Sequence, residues 1–472
     1  MAEQIVSPGV FARENDQSFI TQQAPAIGAA LIGPTVLGPV EVPTLVTSYS
    51  DYLNRFGSTF VSSSTQYTYF TSIAAFNYFN NGGESLLVTR VVTGSFSSSV
   101  STPIQNSVEA GTGGLIVGTN LGVGVAAAAV AATYINVPLT GSLTGTGALA
   151  TVVVSAPTVI DSVTITTAGS GFAVGEAITI SETFIGGVAA TATVTDFLTA
   201  TDIVNQVAFT IKSLTEGVVA NSSGSEDASG SLSNGTANNL RWEISQTSSG
   251  SGTFTLLVRR GNDNNNAKVV LETWANLSLD PLAPNYITKV IGDMDKNLTI
   301  DGSQQTFLSV TGSYPNASRF IRVDSVTAKT PNYFDNTGLP KSEYTASLPL
   351  VGSGSMINAT GNLFEGAANY YENINNTNTQ GLAAKDYTSS IALLANADEY
   401  QYNAIIVPGL VRNSGNFSTH VSVVNALVNN TAVRGDNLAV IDVAGYNSEI
   451  SSVTSQVAGI DTSYAATYWP WL

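Results

Sequence analysis

Apolar residues follow different periodicities along this chain, and the change between them predicts how the fold is divided. Residues 66–92 combine a helical period with a strand-like run, separated by the Gly82-Gly83 pair that commonly ends a helix. Residues 86–92 are mostly apolar, as in a strand covered on both faces. We expect the apolar side of the helix to be buried, and its residues at helical spacing are Phe70, Ile73, Ala74 and Phe76.

The segments before this unit have the same α/β character. Residues 27–32 form an apolar strand that ends at Gly33-Pro34, and residues 42–47 form a second strand. Ser50 can cap a short helix over residues 51–56, with Gly57 behind it.

The same style returns after residue 381. Helices are predicted over residues 386–394 and 418–429, and strands over 404–407 and 438–443. Pro408-Gly409 is expected to end the first of these strands, and Arg434-Gly435-Asp436 forms the turn before the second. We therefore predict an α/β inner domain built from both chain ends, residues 24–92 plus 381–472.

The middle of the chain differs in composition from both ends. Residues 91–211 contain no Lys or Arg and six acidic residues. Alternating runs over residues 162–167 and 177–181 flank the turn AGSGFAVGE, a pattern typical of a hairpin. We predict an inserted, outward-facing β-barrel or sandwich over residues 93–198.

Residues 199–380 are predicted to form a second inserted domain of α+β type. Strands over 241–245 and 253–259 would pair, a strand over 268–275 and a helix over 284–294 would follow, and residues 325–379 have the composition of long loops. The fold class is therefore α+β multidomain, an α/β inner domain with inserted β-rich domains.

The charge balance excludes several partners and chemistries. The 472 residues include 17 Lys and Arg against 34 Asp and Glu, and the net charge is −17. Because binding to a phosphate backbone depends on Lys and Arg, no nucleic-acid partner is expected. The absence of Cys excludes disulfides, thiolate catalysis and Cys-based zinc sites. Neither a secretory signal nor an apolar run of bilayer length is visible, so no membrane partner is expected.

Residues that could carry catalysis are sparse. His420 is the single histidine, and the Gly-x-Ser-x-Gly pattern is absent, so a Ser-His-Asp triad is not indicated. No Gly-Lys dipeptide offers a phosphate loop, and the calcium-like run from Asp293 has Leu298 where glycine is required. Paired carboxylates for glycoside hydrolysis stay open, because their spacing is spatial. We predict no catalytic, cofactor or metal site and expect a structural protein.

Several blocks of sequence, in this order, resemble the tail sheath protein of contractile-tailed bacteriophages, especially that of large myophages. The first is SPGVFARENDQS, followed by Gly33-Pro34, Gly38-Pro39-Val40 and DYLNRFG. The later ones are FNYFNNGGESLLVTRVV, VRRGNDNNN, VLETWANLSLDP, IIVPGL, RGDNLAVIDV and YAATYWPWL. Residues around 95–195 and 325–380 carry no match.

The resemblance implies a non-enzymatic subunit without a cofactor. Hexameric rings of such subunits stack helically around the inner tail tube and contract, which drives tube penetration and genome ejection. The implied partners are the chain itself, the tail tube protein, and the baseplate and tail terminator proteins. The implied location is the virion, after assembly in the host cytoplasm. The family also continues past the PWL block into a region that receives neighbouring arms, so this chain alone is expected to stay monomeric.

Residues 1–23 contain no convincing element of their own. Pro8-Gly9 marks a turn, and residues 10–17 have an extended, polar character. The residues alone leave two interpretations open, a frayed terminus or an arm that adds a strand to a neighbouring molecule. The resemblance implies the arm, and its predicted subunit-interface residues are Ser7, Pro8, Gly9, Val10, Phe11, Arg13 and Glu14.

Two alternative functions fit the composition. Abundant Ser, Thr, Asn and Gly suit a surface adhesin, although no secretion signal is visible and the α/β segments are split. A virion protein that binds or processes carbohydrate would use the Asn- and Tyr-rich loops, and a reducing-sugar assay on host polysaccharide separates it from the others.

Overall fold

The structure, a computed structural model, describes most of the chain after residue 26. The described residues are 27–62, 65–105, 112–115, 120–121, 124–125, 129–141, 145–157, 159–173, 177–186, 198–199, 203–204, 207–303, 305–345, 347–361, 382, 384–412, 418–445 and 448–470.

Strands and helices of the described residues are numbered in chain order. The strands are β1 (Ile27–Gly33), β2 (Thr44–Val46), β3 (Thr59–Ser62), β4 (Thr65–Thr68), β5 (Leu86–Arg90), β6 (Ser98–Ser101), β7 (Thr112–Leu115), β8 (Gly124–Val125), β9 (Ala132–Gly141), β10 (Thr146–Ala156), β11 (Val159–Ser170), β12 (Phe172–Ala173), β13 (Ala177–Thr179), β14 (Leu198–Thr199), β15 (Ile203–Val204), β16 (Phe209–Glu216), β17 (Leu240–Ser248), β18 (Thr253–Arg260), β19 (Val270–Ser278), β20 (Asp295–Ile300), β21 (Thr306–Thr311), β22 (Ile321–Val326), β23 (Gly352–Ser355), β24 (Tyr402–Val411), β25 (Leu438–Asp442) and β26 (Ala465–Ala466). The α-helices are α1 (Tyr49–Phe56), α2 (Phe70–Asn80), α3 (Ile287–Ile291), α4 (Ser342–Thr345), α5 (Thr388–Leu394), α6 (Ser418–Arg434) and α7 (Ile450–Val457).

Both ends of the chain contribute to one six-stranded sheet, which we call the split sheet. Its strand order is β2-β5-β1-β24-β25-β26, and every pairing is parallel except that of β2 with β5. At the centre, Ala30 of β1 is the partner of Leu87 on one side and of Ile405 on the other. A strand from the start of the chain is therefore paired directly with one from its last quarter.

Apolar layers cover both faces of the split sheet, which explains why its strands are nearly continuous apolar runs. Ala29 and Leu31 face the layer that contains α1 and α2. Ala30 and Ile32 face the opposite layer, which includes residues of α5, α6 and α7. Every residue of β5 is buried, as the apolar run over residues 86–92 predicts.

Helix α2 packs against the split sheet, and the predicted buried face is confirmed only in part. Thr71 and Ala75 are buried, whereas Ile73 and Phe76 are 43% and 46% exposed. The helix lies close to β1, because a Cβ added at Gly33 would clash with the Thr71 hydroxyl. Tyr78 likewise lies against Gly28 of β1, and Ala74 packs against the same layer, so the predicted face is correct at Ala74 and wrong at Ile73 and Phe76.

The N-cap of α1 is Ser48 rather than the predicted Ser50. The Ser48 backbone is extended, and its hydroxyl accepts a hydrogen bond from the Asp51 N–H at 3.1 Å. Ser50 lies within the first turn. The predicted end of the helix is correct, since Gly57 follows it with φ of 66°.

Strand β24 does not end at Pro408-Gly409 as predicted. Gly409 has φ of 81°, and its N–H donates to the Asp442 carboxylate at 3.2 Å. The register with β25 shifts between Ile406 and Val411. The Pro-Gly pair therefore produces an irregularity within the strand rather than its end.

The middle of the chain forms two sheets that enclose a further apolar cluster. Their orders are β22-β16-β6 and β19-β18-β17-β23, and Phe209 of one stacks on Phe254 of the other with ring centroids 5.5 Å apart. The predicted β pair is confirmed as β17 and β18. The predicted helix over 284–294 is reduced to the five residues of α3, because Gly292 ends it with φ of 102° and β20 follows.

A six-stranded sheet, β14-β13-β9-β10-β11-β8, and a three-stranded one, β12-β7-β15, lie between residues 112 and 204. Leu115 and Phe172 of the smaller sheet share an apolar cluster with the larger one, so the two faces pack together. The predicted hairpin of residues 162–167 with 177–181 is wrong, because β11 pairs with β10 while β13 pairs with β9. Phe172–Ala173 leaves to pair with β7 in the other sheet.

The chain leaves and returns at closely spaced points. The Ser97 N–H donates to Thr360 O at 3.0 Å, so the segment that follows β5 meets the segment that follows β23. Within this excursion the Ala208 N–H donates to Pro103 O at 2.8 Å, which brings together the residues on either side of the β7–β15 region. The fold is of mixed α+β type with several sheets, and the domain boundaries stay predictions.

Candidate assembly site

The seven predicted arm residues, from Ser7 to Glu14, lie outside the described residues. Their role stays a prediction.

Strand β26 is the last strand of the split sheet in the described part of the chain, and no described strand pairs with its outer edge. Ala465 and Ala466 pair with Ala439 and Val440 of β25, and the Ala439 N–H donates to Tyr464 O at 2.9 Å. Neighbouring residues of a strand turn their backbone groups to opposite sides, so those of Ala465 point to the outer edge. An extended segment could add a further strand there.

Large apolar side chains stay exposed on the helices around the split sheet. Besides those on α2, Val433 of α6 is 88% exposed, Ile450 of α7 is 72% exposed and Tyr468 beyond β26 is 75% exposed. Single exposed apolar residues are common on protein surfaces, so these positions alone assign no partner.

Arg90 joins the split sheet to the middle of the chain. Its side chain is fully buried at the end of β5, and Nη1 donates to Gly38 O at 2.6 Å and to Glu216 O at 2.8 Å. The guanidinium also lies 5.4 Å from the centre of the Phe96 ring. Burial lowers the pKa of Arg90 to about 10, so the side chain stays charged at neutral pH. Three segments that are distant in sequence therefore meet on one cation.

A cleft of about 380 Å³ lies beside this junction, and we call it the charged cleft. It is bordered by the segment around β2, the end of α1, and the strands β6, β16 and β20 with the segment before β22. Four cationic side chains, Arg55, Lys296, Arg319 and Arg322, line it together with two acidic ones, Glu216 and Asp295. This ratio is the reverse of that of the whole chain.

Ion pairs hold part of the charged cleft in place. Arg322 contacts Asp295 at 2.8 Å and Asp324 at 3.1 Å. Burial raises the pKa of the Glu216 carboxyl, and Oε2 of this group accepts a hydrogen bond from the Val40 N–H at 3.2 Å.

A second group of charges is buried between β17, β18 and the loop after β18. Arg259 contacts Asp263 at 2.8 Å and Glu243 at 2.7 Å, and Arg241 contacts Asp263 and Glu226. The Arg241, Arg259 and Asp263 side chains have no exposed area. These pairs fasten the loop to the sheet, and the removal of one partner would leave a buried charge uncompensated.

His420 is a packed histidine. It is fully buried in α6, and Nδ1 lies 2.9 Å from Val411 O. Burial lowers the pKa of its imidazole below the ordinary value. Asp293, in the calcium-like run, accepts hydrogen bonds from the Ser313 and Tyr314 N–H groups, and β20 begins two residues later. Among the described residues, no group of three or more His, Asp or Glu side chains is placed to hold a metal.

Sequence reasoning did not find the charged cleft. Its four cations come from α1, β20, β22 and the segment before β22, and no local motif joins them. The related sequence feature is the absence of Lys and Arg from residues 91–211, which places all 17 cationic residues in the other segments of the chain.

Comparisons with known proteins give a distant likeness. No protein-family model matches the chain, and no curated protein matches it. A sheath tail protein from Listeria innocua is 8% identical over 89% of this chain and 48% of its own, with a TM-score of 0.32. A sheath tail protein from Desulfitobacterium hafniense is 8% identical over 97% of this chain and 55% of its own, with a TM-score of 0.29.

This chain spans about half the length of each of these two proteins. In the described ranges, every helix is too short or too polar to cross a bilayer.

Proposed function

We propose that this chain is a structural subunit of a bacteriophage contractile tail sheath. Hexameric rings of the subunit stack helically around the inner tail tube, between the baseplate and the tail terminator. Contraction of this sleeve drives the tube through the host envelope for genome ejection. Assembly takes place in the host cytoplasm, and the subunit resides in the virion tail.

The observation that carries the proposal is the pairing of β1 with β24 in the split sheet. The ordered sequence blocks resemble sheath proteins, and that resemblance implies an inner domain built from both chain ends. The contact of Ser97 with Thr360 supports the same organisation, because it closes the long excursion next to the split sheet. The sequence blocks and the strand pairing both support the proposed arrangement.

The β26 edge supports a mechanism for joining subunits. The arm of one subunit, residues 7–14, would lie as a strand along the outer edge of β26 in its neighbour. Each backbone hydrogen bond contributes about 0.5–1.5 kcal/mol, so the N–H and C=O of Ala465 together could contribute about 1–3 kcal/mol for each arm. A tether of that strength keeps rings connected while other contacts slide.

Contraction needs no nucleotide in this proposal. A head-to-tail contact that does not close produces a helix of subunits. The subunit then has two packings in the helix, one metastable and one lower in free energy. The free-energy difference between them drives contraction.

Negative-stain electron microscopy tests the proposal. The product of the complete reading frame, expressed with and without the tail tube protein, is expected to form striated tubes of constant diameter. Isolated particles under both conditions would overturn the sheath assignment.

A further inference from the structure

We propose that the charged cleft is a binding site for a small organic anion, with a carboxylate or phosphate head and a compact apolar body. The site goes beyond the sheath role and does not depend on it.

Arg319 and Lys296 have capacity for an anionic ligand. The Arg319 side chain is 57% exposed and contacts Asp51 at 3.3 Å, and the same Asp51 oxygen is held by Arg55 at 3.0 Å. One carboxylate therefore serves two guanidinium groups. Lys296 is exposed and forms no ion pair among the described residues. An incoming anion can therefore pair with both cations without displacing a buried group.

Arg322 provides a positioned cation beside them. Its side chain is only 9% exposed and is oriented by Asp295 and Asp324, on either side of the guanidinium. Guanidinium groups bind carboxylates and phosphates through paired N–H donors, and a group already held in one orientation loses little freedom on binding. Glu216 Oε2 already accepts the Val40 N–H at 3.2 Å, and burial raises the pKa of this carboxyl.

Apolar side chains form part of the wall of the charged cleft. Val42, Pro43, Leu45, Met294 and Pro315 contribute to its lining. A bare inorganic ion would leave this wall in contact with water, whereas an apolar body covers it. A volume of about 380 Å³ is at the small end of the range for ligand pockets, which limits the body to about the size of one ring.

Isothermal titration calorimetry of the 472-residue chain tests the site with benzoate and phenyl phosphate as probes. Benzyl alcohol, which has the ring without the charge, is the ligand control. Arg319→Gln and Lys296→Gln are the test variants. Lys329→Gln removes an exposed cation outside the cleft and is the matched protein control.

Saturable binding of at least one anion is expected, and the tighter probe identifies the preferred head group. Each test variant should raise the dissociation constant of the tighter probe about tenfold, as the loss of one charged hydrogen bond predicts. Lys329→Gln should leave this dissociation constant unchanged. Both test positions are exposed or half-exposed, so the melting temperature should not change. The proposal is overturned if neither anion binds saturably, if benzyl alcohol binds equally well, or if all variants retain wild-type affinity.

Discussion

Asp263 lies at the centre of the buried ionic group, and its replacement by Asn tests how that group holds the middle of the chain together. Its carboxylate accepts hydrogen bonds from Arg259 Nε at 2.8 Å and Nη2 at 2.9 Å. The Val269 N–H donates to the same carboxylate at 2.8 Å, and Arg241 Nη1 lies 3.3 Å away. With Asn in this position, two guanidinium groups without exposed area lose the carboxylate that they share.

The size of the effect follows from burial. Removal of one partner from a buried ion pair costs about 3–5 kcal/mol, because the remaining charge is left uncompensated. Glu243 and Glu226 still contact the two arginines, so we expect the lower end, about 3 kcal/mol. A loss of this size is a large share of the 5–15 kcal/mol that typically stabilises a protein.

Urea unfolding followed by tryptophan fluorescence measures this loss. Trp242 in β17 and Trp274 in β19 lie in the sheet that the ionic group fastens, so they report on its unfolding. Asp263→Asn should lower the midpoint by about 1–2 M. Asp398→Asn is the matched control, since Asp398 is exposed and forms no ion pair among the described residues, and surface substitutions of this kind change stability by about 0.5 kcal/mol or less. Equal midpoints for the two variants would refute the reasoning.

Three further predictions concern the split sheet and the arm. Burial raises the pKa of Asp442, so the folded state loses stability as the pH rises and this carboxyl ionises. Asp442→Asn should therefore raise the melting temperature at pH 7. In a pH series, this gain should disappear toward pH 4. Gly57→Ala should lower the free energy of unfolding by about 1–2 kcal/mol, because the residue has φ of 66° and its new Cβ would lie 3.0 Å from Val36. Gly82→Ala should cost less, because Gly82 has φ of 88° but no neighbour within 4 Å of the added Cβ. Chemical denaturation of the two variants measures the difference. In the product used for the negative-stain test above, Val10→Pro should abolish the tubes, since proline lacks the N–H that strand addition requires, and Val10→Ala should retain them. Tubes from the proline variant would contradict a strand-forming arm.

The sequence predicted helices and strands correctly where apolar residues recur periodically and a turn residue marks the end of the element. The strands predicted over residues 27–32 and 438–443 correspond to β1 and β25 within one residue. Gly57 ends α1 and Gly82 has a left-handed backbone, as their positions after the helices indicate. These predictions depend on neighbours within a few residues, so tertiary context changed them little.

Choices between distant partners did not follow from the sequence. The run over residues 177–181 was correctly recognised as extended, but its partner is β9 rather than the preceding strand. Ile73 and Phe76 have the right spacing for a buried face, yet Thr71, Ala75 and Tyr78 are the residues of this helix that pack against β1. The strand and helix periods predict which residues share a face, but they do not predict which element packs against that face.

The change of residue pattern after Val92 and its return near residue 381 were visible in the sequence alone, because buried parallel strands need apolar side chains on both faces. Only the tertiary structure placed β1 against β24 and gathered the cations of the charged cleft. The physical reason is that pairing and charge clustering depend on distances between residues hundreds of positions apart, and no local pattern records those distances.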